Sequence, residues 1–458
     1  MDFVDATPSR KKQKLVAGQK VGEISGDRIS DLPDGLLHHI LSLLPTKEAV
    51  TTSTLSKRWR YLWFFVSNLY FRDKGFHKDI ERKDSFARFV ERALLLHSSN
   101  VKIFRFSCKG GCLDAIRFNS WIGAAIRRQV QELRLSYNLR NVVAMPLCLW
   151  TSQTLKVLKI NSPVSLVLPS TVFFSSLKTL HLRNVPFYDN LSIHELFHGL
   201  PVLEELVLLR CKWFSGKKAT IVIPTVRSLT MDMTFDRKYD GEIEVYAENL
   251  VYLSCTIDLG FGLLLKNLSS SVDASIKVTR FTRCLRKPSK YSTKYATELL
   301  RGICFSKSIK LDGEGLERFC HFLKENVNLF PTFGNLTSLE VNTSVNCYGI
   351  EVLVAIFQNS PALESVVLEE VCAGNDEALM RNYLNLSFYL KRCCIRVFKG
   401  CSEELCFVKF LLSTAKELES LEIYRSECLK DNPSKLDDIV RQLNMSPGIS
   451  RNHLIKWL

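Results

Sequence analysis

The sequence predicts an α/β protein in which a short helical segment is followed by a long array of strand-containing repeats. The 458 residues are 46% hydrophobic and 24% charged, which is ordinary globular usage and enough chain for two or three domains or one elongated array. Apolar residues crowd at helical spacing between residues 32 and 63. Beyond them, an apolar-x-x-apolar-x-apolar pattern recurs seven times. Units this small bury a core only by stacking on one another, so the repeats must share one core.

Charge and cysteine content restrict the class of protein. The formal net charge is +15, which suits nucleic acid, anionic membranes or acidic proteins as partners. No run approaches the ~18 to 20 apolar residues that span a bilayer, and the start of the chain is polar, so we expect no signal peptide and no membrane partner. Fifteen cysteines without framework spacing predict free thiols in a reducing compartment. We therefore expect an intracellular protein, nuclear, cytoplasmic or both.

Residues 1–26 form the first predicted segment, a flexible basic tail. They contain turn-forming and basic residues but no hydrophobic periodicity. Lys11-Lys12-Gln13-Lys14 fits a nuclear-import pattern, and a solvated basic tail is the alternative interpretation.

Residues 27–70 are predicted to form three short helices. Six Leu and Ile residues between positions 36 and 44 lie at helical spacing, and Pro45 ends this first helix. Thr46 is the expected N-cap of a second helix, and a third is predicted through residues 56–63. A unit of roughly 40 residues has too little interior to bury this much apolar surface. The surface is therefore expected to meet a partner or, alternatively, the rest of the same chain.

This segment resembles an F-box, in particular that of the plant F-box proteins that carry leucine-rich repeats and a C-terminal FBD region. The Leu32-Pro33 start, the Ile40-Leu41 helix, the Pro45 stop and the Ser56-Lys57-Arg58-Trp59 end occur together and in this order. Gly35 departs from the family pattern, in which an acidic residue is frequent, and glycine in a helix costs about 1 kcal/mol relative to alanine.

The resemblance implies that these helices dock on the Skp-family adaptor of an SCF-type cullin-RING ubiquitin ligase while the repeats hold a target protein. The residues expected to contact the adaptor are apolar residues of the motif: Leu32, Pro33, Leu36, Ile40, Leu43, Leu44, Pro45, Val50, Leu55 and Trp59. Some of them must instead serve the internal core of the three helices, and sequence alone does not sort them.

Residues 71–360 contain the repeats, each with one predicted strand. Successive repeats begin 22 to 29 residues apart, close to the leucine-rich-repeat period of about 20 to 29, which predicts a horseshoe-shaped solenoid. The apolar positions of the seven repeats are Val101/Phe104/Phe106, Val130/Leu133/Leu135, Leu155/Leu158/Ile160, Leu177/Leu180/Leu182, Leu203/Leu206/Leu208, Val226/Leu229/Met231 and Leu250/Leu253/Cys255. Later strands are predicted at Ile309/Leu311, Leu336/Leu339/Val341, Leu363/Val366/Leu368 and Leu418/Leu421/Ile423.

The C-terminal part is predicted to be an irregular cap. Residues 361–440 are predicted to be FBD-like C-terminal repeats. Within them, residues 395–423 resemble the FBD region of the same plant family, and their periodicity predicts strand, loop, amphipathic helix and strand. Residues 441–458 are predicted to be a tail.

One outward position of the repeats predicts a target-binding surface. Side chains alternate along a strand, so the residue between the last two apolar positions points away from the core. It is basic in the first four repeats, and Arg183 adds a further cation, whereas Glu132 and Glu205 reduce the local positive charge. The expected target-binding residues are Arg105, Arg134, Lys159, His181 and Arg183. Such a column suits an acidic or phosphorylated segment, and ordinary solvated strand positions are the alternative.

Candidate chemical motifs do not predict an enzyme. The His194-Glu195-Leu196-Phe197-His198 string matches a zinc-binding helix, but Pro201 follows at once and no third ligand is spaced for zinc, so surface histidines are expected. The cysteines lack paired knuckle spacing, and no nucleotide-binding or nucleophile-elbow motif occurs. We therefore expect no catalytic residues, no metal and no cofactor.

A second basic feature is a loop predicted over residues 277–297. It contains seven Lys and Arg residues, with no acidic residue between Asp273 and Glu298. It is either a phosphate- or acid-binding segment or a solvated insertion. Together with the net charge it supports an alternative function, a basic repeat scaffold that binds nucleic acid or acidic proteins without a role in ubiquitination. Because no nucleic-acid-binding fold signature is present, we favour the ligase receptor.

Overall fold

The structure is a computed structural model. It describes Ile29 and residues 31–73, 80–108, 114–138, 144–164, 166–213, 218–233, 241–259, 262–269, 271–279, 290–312, 315, 316, 319, 330–372, 387–444 and 454–458. The predicted basic tail, residues 1–26, lies outside the described residues.

The N-terminal unit begins with two α-helices, α1 (Asp34–Ser42) and α2 (Thr46–Thr51). A proline, Pro33 or Pro45, directly precedes each helix. Its ψ near 145° is that of extended backbone, and the proline ring fixes its φ near −55°, within the helical range. The third predicted helix is wrong: residues 57–61 form turns, and only short 3-10 helices follow α2, at Thr52–Thr54 and Leu62–Phe65. Aromatic residues in the Trp59–Phe65 run have low helix propensity, so packing decides their conformation.

A fifteen-stranded parallel sheet follows, and its strands lie side by side almost in chain order. The strands are β1 (Asn68–Arg72), β2 (Ile103–Cys108), β3 (Glu132–Tyr137), β4 (Val157–Asn161), β5 (Thr179–Arg183), β7 (Glu205–Leu209), β10 (Ser228–Met233), β12 (Tyr252–Ile257), β14 (Asp273–Val278), β15 (Ser308–Leu311), β16 (Ser338–Asn346), β17 (Ser365–Cys372), β18 (Arg392–Phe398), β19 (Ser420–Arg425) and β20 (Ile455–Trp457). Two small parallel sheets pair β6 (Pro186–Phe187) with β8 (Lys212–Trp213) and β9 (Lys218–Val222) with β11 (Glu242–Tyr246) and β13 (Gly262–Lys266).

Helices lie in the connections between strands. They are α3 (Ile80–Leu96), α4 (Ala115–Arg127), α5 (Leu147–Trp150), α6 (Asn190–His198), α7 (Lys290–Ile303), α8 (Cys347–Gln358), α9 (Ser402–Thr414), α10 (Glu427–Lys430) and α11 (Pro433–Asn444). Short polar side chains begin several of them: Asp114 accepts hydrogen bonds from two backbone N–H groups of α4, and Asp189 and Asn346 cap α6 and α8.

The two faces of the large sheet differ in burial. All three apolar positions of each of the seven predicted repeats are buried in one continuous core. The alternate residues are only partly buried and point away from this core, as the strand period of two requires. We call this second side the open face. The predicted strands of all seven repeats, and the four later ones, are confirmed.

Three strands of the large sheet were not predicted: β1, β14 and β20. In β14 the apolar pattern is hard to see because Ala274 is buried where other repeats carry a large aliphatic residue. The predicted tail 441–458 ends in β20, which pairs with β19. The predicted order of strand, loop, helix and strand over residues 395–423 is confirmed by β18, α9 and β19.

The loop predicted over residues 277–297 requires a correction. Lys277 belongs to β14, and α7 begins at Lys290. The segment therefore contains the end of a strand and the start of a helix, and residues 280–289 lie outside the described residues. The side chain of Lys294 in α7 bonds to Glu242 of β11 at 2.5 Å. Amphipathic spacing of residues such as Leu299 and Ile303, both buried, outweighs the Ser and Thr content that indicated a loop.

Candidate functional site

The two ends of the F-box-like motif are joined in space by one arginine. The Arg58 guanidinium donates a hydrogen bond to the Leu32 carbonyl oxygen at 2.5 Å and another to the Asp34 carboxylate at 2.7 Å. Asp34 is the first residue of α1, where a negative charge also favours the helix dipole. The Leu-Pro start and the Ser-Lys-Arg-Trp end of the motif therefore form one folded unit.

The helical unit is seated on the first strand of the sheet. Thr46, predicted as an N-cap, instead is the first residue of α2, and its buried hydroxyl accepts a hydrogen bond from the Tyr70 backbone N–H at 2.8 Å. Arg72 pairs with Glu48 of α2 at 3.2 Å. The buried leucines of α1 share one hydrophobic core with β1, so part of the apolar surface is covered by the chain itself, one of the two alternatives predicted.

Burial divides the ten residues predicted to contact the adaptor into three groups. Trp59 is only 5% exposed and belongs to the core, together with Leu37 and Leu41, which were not among the ten. Four residues are half-buried: Leu32, Leu44, Pro45 and Val50. Five are exposed: Pro33, Leu36, Ile40, Leu43 and Leu55.

The exposed members leave an apolar surface on the helical unit. Leu36 is 52% exposed, Leu43 is 72% exposed and Leu55 is 68% exposed. Tyr61 and Phe65 are also exposed aromatic residues, and neither was predicted to contact the adaptor. We call Pro33, Leu36, Ile40, Leu43 and Leu55 the hairpin patch.

The predicted basic column is formed on the open face. Arg105, Arg134, Lys159 and His181 are direct register partners on the neighbouring strands β2 to β5. Val207 of β7 is the next partner in this row, so the basic stretch ends there. Strands about 4.8 Å apart make the column roughly 15 Å long.

Acidic neighbours neutralise part of this column. Glu132 pairs with Arg134 and lies 3.6 Å from the Arg105 guanidinium, so one carboxylate serves two arginines. Glu205 lies 3.2 Å from the His181 ring. Burial, followed by the positive charge of Lys159, lowers the pKa of His181, which favours a neutral ring at neutral pH. Lys159 and Arg183 have no ion-pair partner among the described residues and are the free cations of the column.

The same row of the open face becomes a network of ion pairs near the C-terminal end. Glu340 of β16 accepts from Lys310 at 2.6 Å and from Arg396 at 2.8 Å. Although burial opposes it, these bonds hold the pKa of Glu340 below its ordinary value. Lys456 of β20 lies 3.8 Å from Glu422. Acidic and basic residues both occur in this part of the row, whereas the row contains only basic residues in the first four repeats.

The motifs that suggested metal chemistry are not assembled into a metal site. His194, Glu195 and His198 are exposed on α6, and the two imidazole rings stack with centroids 5.7 Å apart. Throughout the described ranges, no group of three or more His, Cys, Asp or Glu residues is placed to hold a metal ion. Burial raises the pKa of Cys393 to about 12, as expected of a packed thiol.

Comparison with known proteins assigns the two parts of the chain. The F-box domain model matches residues 29–69, the helical unit seated on β1. A model of the leucine-rich repeats of the FBD-associated F-box protein At5g56370 matches residues 118–258, which contain strands β3 to β12. In the portion of the chain for which helices are described, none is both long and apolar enough to cross a membrane.

Several Arabidopsis thaliana proteins are similar along most of their length. The F-box/LRR-repeat protein At4g14103 is 32% identical over 76% of this chain and 93% of its own. The F-box/LRR-repeat protein At4g14096 is 29% identical over 93% of this chain and 95% of its own. The F-box/FBD/LRR-repeat protein At4g26340 is 32% identical over 75% of this chain and 77% of its own. The predicted resemblance is confirmed, and the chain belongs to the F-box/LRR-repeat protein family.

Proposed function

We propose that this chain is the non-catalytic substrate-recognition subunit of an SCF-type cullin-RING ubiquitin ligase. In this proposal the helical unit docks on the Skp-family adaptor, and the open face holds the target protein beside a charged ubiquitin-conjugating enzyme. The chain then acts by proximity, since it raises the local concentration of the target without performing chemistry.

The observation that carries the proposal is the hairpin patch. Leu37, Leu41 and Trp59 fill the interior of the helical unit, whereas Leu36 and Leu43 remain exposed on the same helix and just after it. Several exposed leucines on a small helical unit whose interior is already filled are typical of a protein interface. The adaptor is the partner that the F-box family implies.

The open face supports the second half of the proposal. We infer that the sheet curves as a horseshoe with the open face on its concave side, so that the basic column lies where a target would sit. Lys159 and Arg183 supply unpaired cations, and Arg105 and Arg134 share a single carboxylate. An acidic or phosphorylated segment is the complementary partner.

Co-purification with a purified Skp-type adaptor tests the docking. Leu36→Glu/Leu43→Glu should abolish co-elution, because two charges would be buried in the interface. Leu191→Glu is the matched control, since Leu191 is 78% exposed on α6, far along the chain from the helical unit. Equal co-elution of the double variant and the wild type would show that the docking assignment is wrong.

Binding of an acidic peptide tests the column. Fluorescence anisotropy with a labelled hexapeptide of alternating glutamate and alanine should show at least about tenfold weaker binding for Arg105→Glu/Arg134→Glu/Lys159→Glu. Adaptor binding by the same variant should be unchanged. The matched control reverses three exposed cations carried by helices: Arg92, Arg127 and Lys430. If both triple variants lose the same affinity, net charge rather than the column governs binding.

A further inference from the structure

A groove of about 770 Å³ crosses three strands near the C-terminal end of the open face. It spans β17, β18 and β19, far from the basic column along the sheet. Two rows of register partners form its floor: Ser365, Arg392 and Ser420 in one row, and Val367, Cys394 and Glu422 in the next. None of these residues was predicted from the sequence to bind a target.

The groove exists because small side chains lie between long ones. Ser365, Val367, Cys394 and Ser420 project little from the sheet, whereas the side chains of Arg396 and Tyr424 stand along the groove. Strands in one sheet are about 4.8 Å apart, so three strands with small central residues leave a depression wide enough for an extended peptide. Its volume also lies within the range of about 300 to 1,000 Å³ usual for binding pockets.

Ion pairs hold the walls of the groove and leave one cation available. Arg396 is bonded to Glu340 at 2.8 Å and to Glu369 at 3.3 Å, and Glu422 lies 3.8 Å from the amine of Lys456, so these charges are already compensated. Arg392 is exposed, and its guanidinium has no hydrogen-bond or ion-pair partner among the described residues. Glu364 interacts electrostatically with Arg392, but its carboxylate is bonded to Lys391 at 2.7 Å.

Arg392 lies between two serines in one register row. Ser365 and Ser420 are half-buried and are its direct neighbours on β17 and β19. A planar guanidinium on one strand and a hydroxyl donor on each neighbouring strand are groups that a carboxylate or a phosphate accepts hydrogen bonds from. Val367 and Cys394 in the next row offer apolar contact to the rest of the ligand.

We propose that this groove binds an acidic side chain, a carboxylate or a phosphate, from an extended segment of the target protein, with Arg392, Ser365 and Ser420 as the anion-binding residues. The proposal rests on the proposed function in that the segment belongs to the ligase target. It adds a second contact that is separate from the basic column. Lys159 on β4 and Arg392 on β18 are nine strand spacings apart, which is about 43 Å along the sheet. A target with two acidic segments would engage both sites at once and gain affinity from the second contact.

Protection of Cys394 from alkylation reports occupancy of the groove alone. Cys394 is half-buried on the groove floor, two residues from Arg392, and Cys428 on α10 is an exposed internal reference. Burial raises the pKa of Cys394, so the reaction with iodoacetamide is run near pH 8.5 and followed by peptide mass spectrometry. The probes are two hexapeptides that alternate alanine with glutamate or with phosphoserine. Six residues extend about 21 Å at most, so one peptide does not bridge the column and the groove along the sheet.

The expected result is slower alkylation of Cys394 in the presence of peptide, with no change at Cys428. Arg392→Gln should raise the half-protecting peptide concentration about tenfold, because a charge-assisted bond is lost. Ser365→Ala/Ser420→Ala should raise it about threefold, and Arg441→Gln on α11, an exposed arginine outside the groove, should leave it unchanged. The stronger of the two peptides identifies the anion as carboxylate or phosphate.

Three outcomes would overturn the proposal. No protection of Cys394 by either peptide would show that the groove does not bind acidic segments. Protection that is equal in wild type and Arg392→Gln would remove Arg392 from the site. Protection by free N-acetylglutamate at the same concentration as the peptide would show that the groove takes a small anion rather than a peptide. Adaptor co-elution is measured on the same protein, so failure here with intact co-elution disproves the groove and not the ligase role.

Discussion

Two adjacent leucines of α1 provide a sharp test of how the helical unit divides its apolar residues. Leu37 is fully buried, whereas Leu36 is 52% exposed. Truncation of Leu37 to alanine removes three buried carbon atoms, which are worth about 0.8 kcal/mol each in transfer free energy. With the cavity left behind, the local free energy of unfolding should fall by about 3 kcal/mol. Leu36→Ala removes carbons that already contact water, so its effect should stay within about 0.5 kcal/mol.

Hydrogen exchange measured by mass spectrometry resolves this difference within α1. A loss of about 3 kcal/mol should speed exchange of the protected α1 amides about 100-fold in Leu37→Ala. Exchange in Leu36→Ala should change by less than about threefold, while its binding to the Skp-type adaptor weakens. Protection in β10, far along the sheet, should be unchanged in both variants and serves as the internal control.

The reverse pattern would refute the reasoning. If Leu36→Ala exposed α1 to exchange as strongly as Leu37→Ala, the hairpin patch would be part of the core and the docking surface would lie elsewhere. If Leu37→Ala lost adaptor binding while its amides stayed protected, Leu37 would contact the adaptor directly.

Three further predictions concern charge. Glu132→Gln should strengthen binding of the acidic hexapeptide about threefold or more in anisotropy, because it releases Arg105 and Arg134 from their shared carboxylate, and weaker binding would contradict this. Burial lowers the pKa of His181, so its ring gains a proton only below the ordinary value of about 6.5; peptide affinity should therefore rise as the pH falls below about 6.5, and His181→Gln should flatten this dependence. Burial lowers the pKa of His97, so the unfolded chain binds a proton at this histidine more tightly than the folded chain does. The free energy of unfolding, measured by urea titration, should therefore fall as the pH drops below about 6.5, and His97→Asn should reduce that fall.

The repeat strands were predictable because their signal is local. Residues such as Leu133 and Leu135 alternate with polar neighbours over one short strand, and the same pattern returns at each repeat. The row containing Arg134 and Lys159 follows from strand alternation and the shared register, without knowledge of loops. The prediction failed where a small residue replaced the aliphatic one, as at Ala274, because the pattern counts types of residue rather than available space.

Only the tertiary structure shows which apolar residues of the helical unit are buried and which are exposed. Leu36 and Leu37 are the same residue type in adjacent positions, and only the packing of α1 against the 3-10 helix at Leu62–Phe65 makes one buried and the other exposed. Trp59 carries the motif's most recognisable side chain, yet it serves the interior. Helical spacing identifies which residues share a face, but not which partner that face meets.

The amino-acid sequence by itself determined the family, through the ordered residues of the F-box-like motif. It also determined the repeat architecture and the row of basic residues on β2 to β5, because these depend on periodicities of two and of one repeat. Only the tertiary structure decided which charges of that row are compensated and where a groove opens. Glu132 joins Arg105 to Arg134, and Arg396 to Glu340 crosses from β18 to β16. An ion pair forms only when two side chains come within about 4 Å, which happens after the strands have stacked. A carboxylate tens of positions away in the chain, such as Glu132 for Arg105, therefore determines which cation stays unpaired.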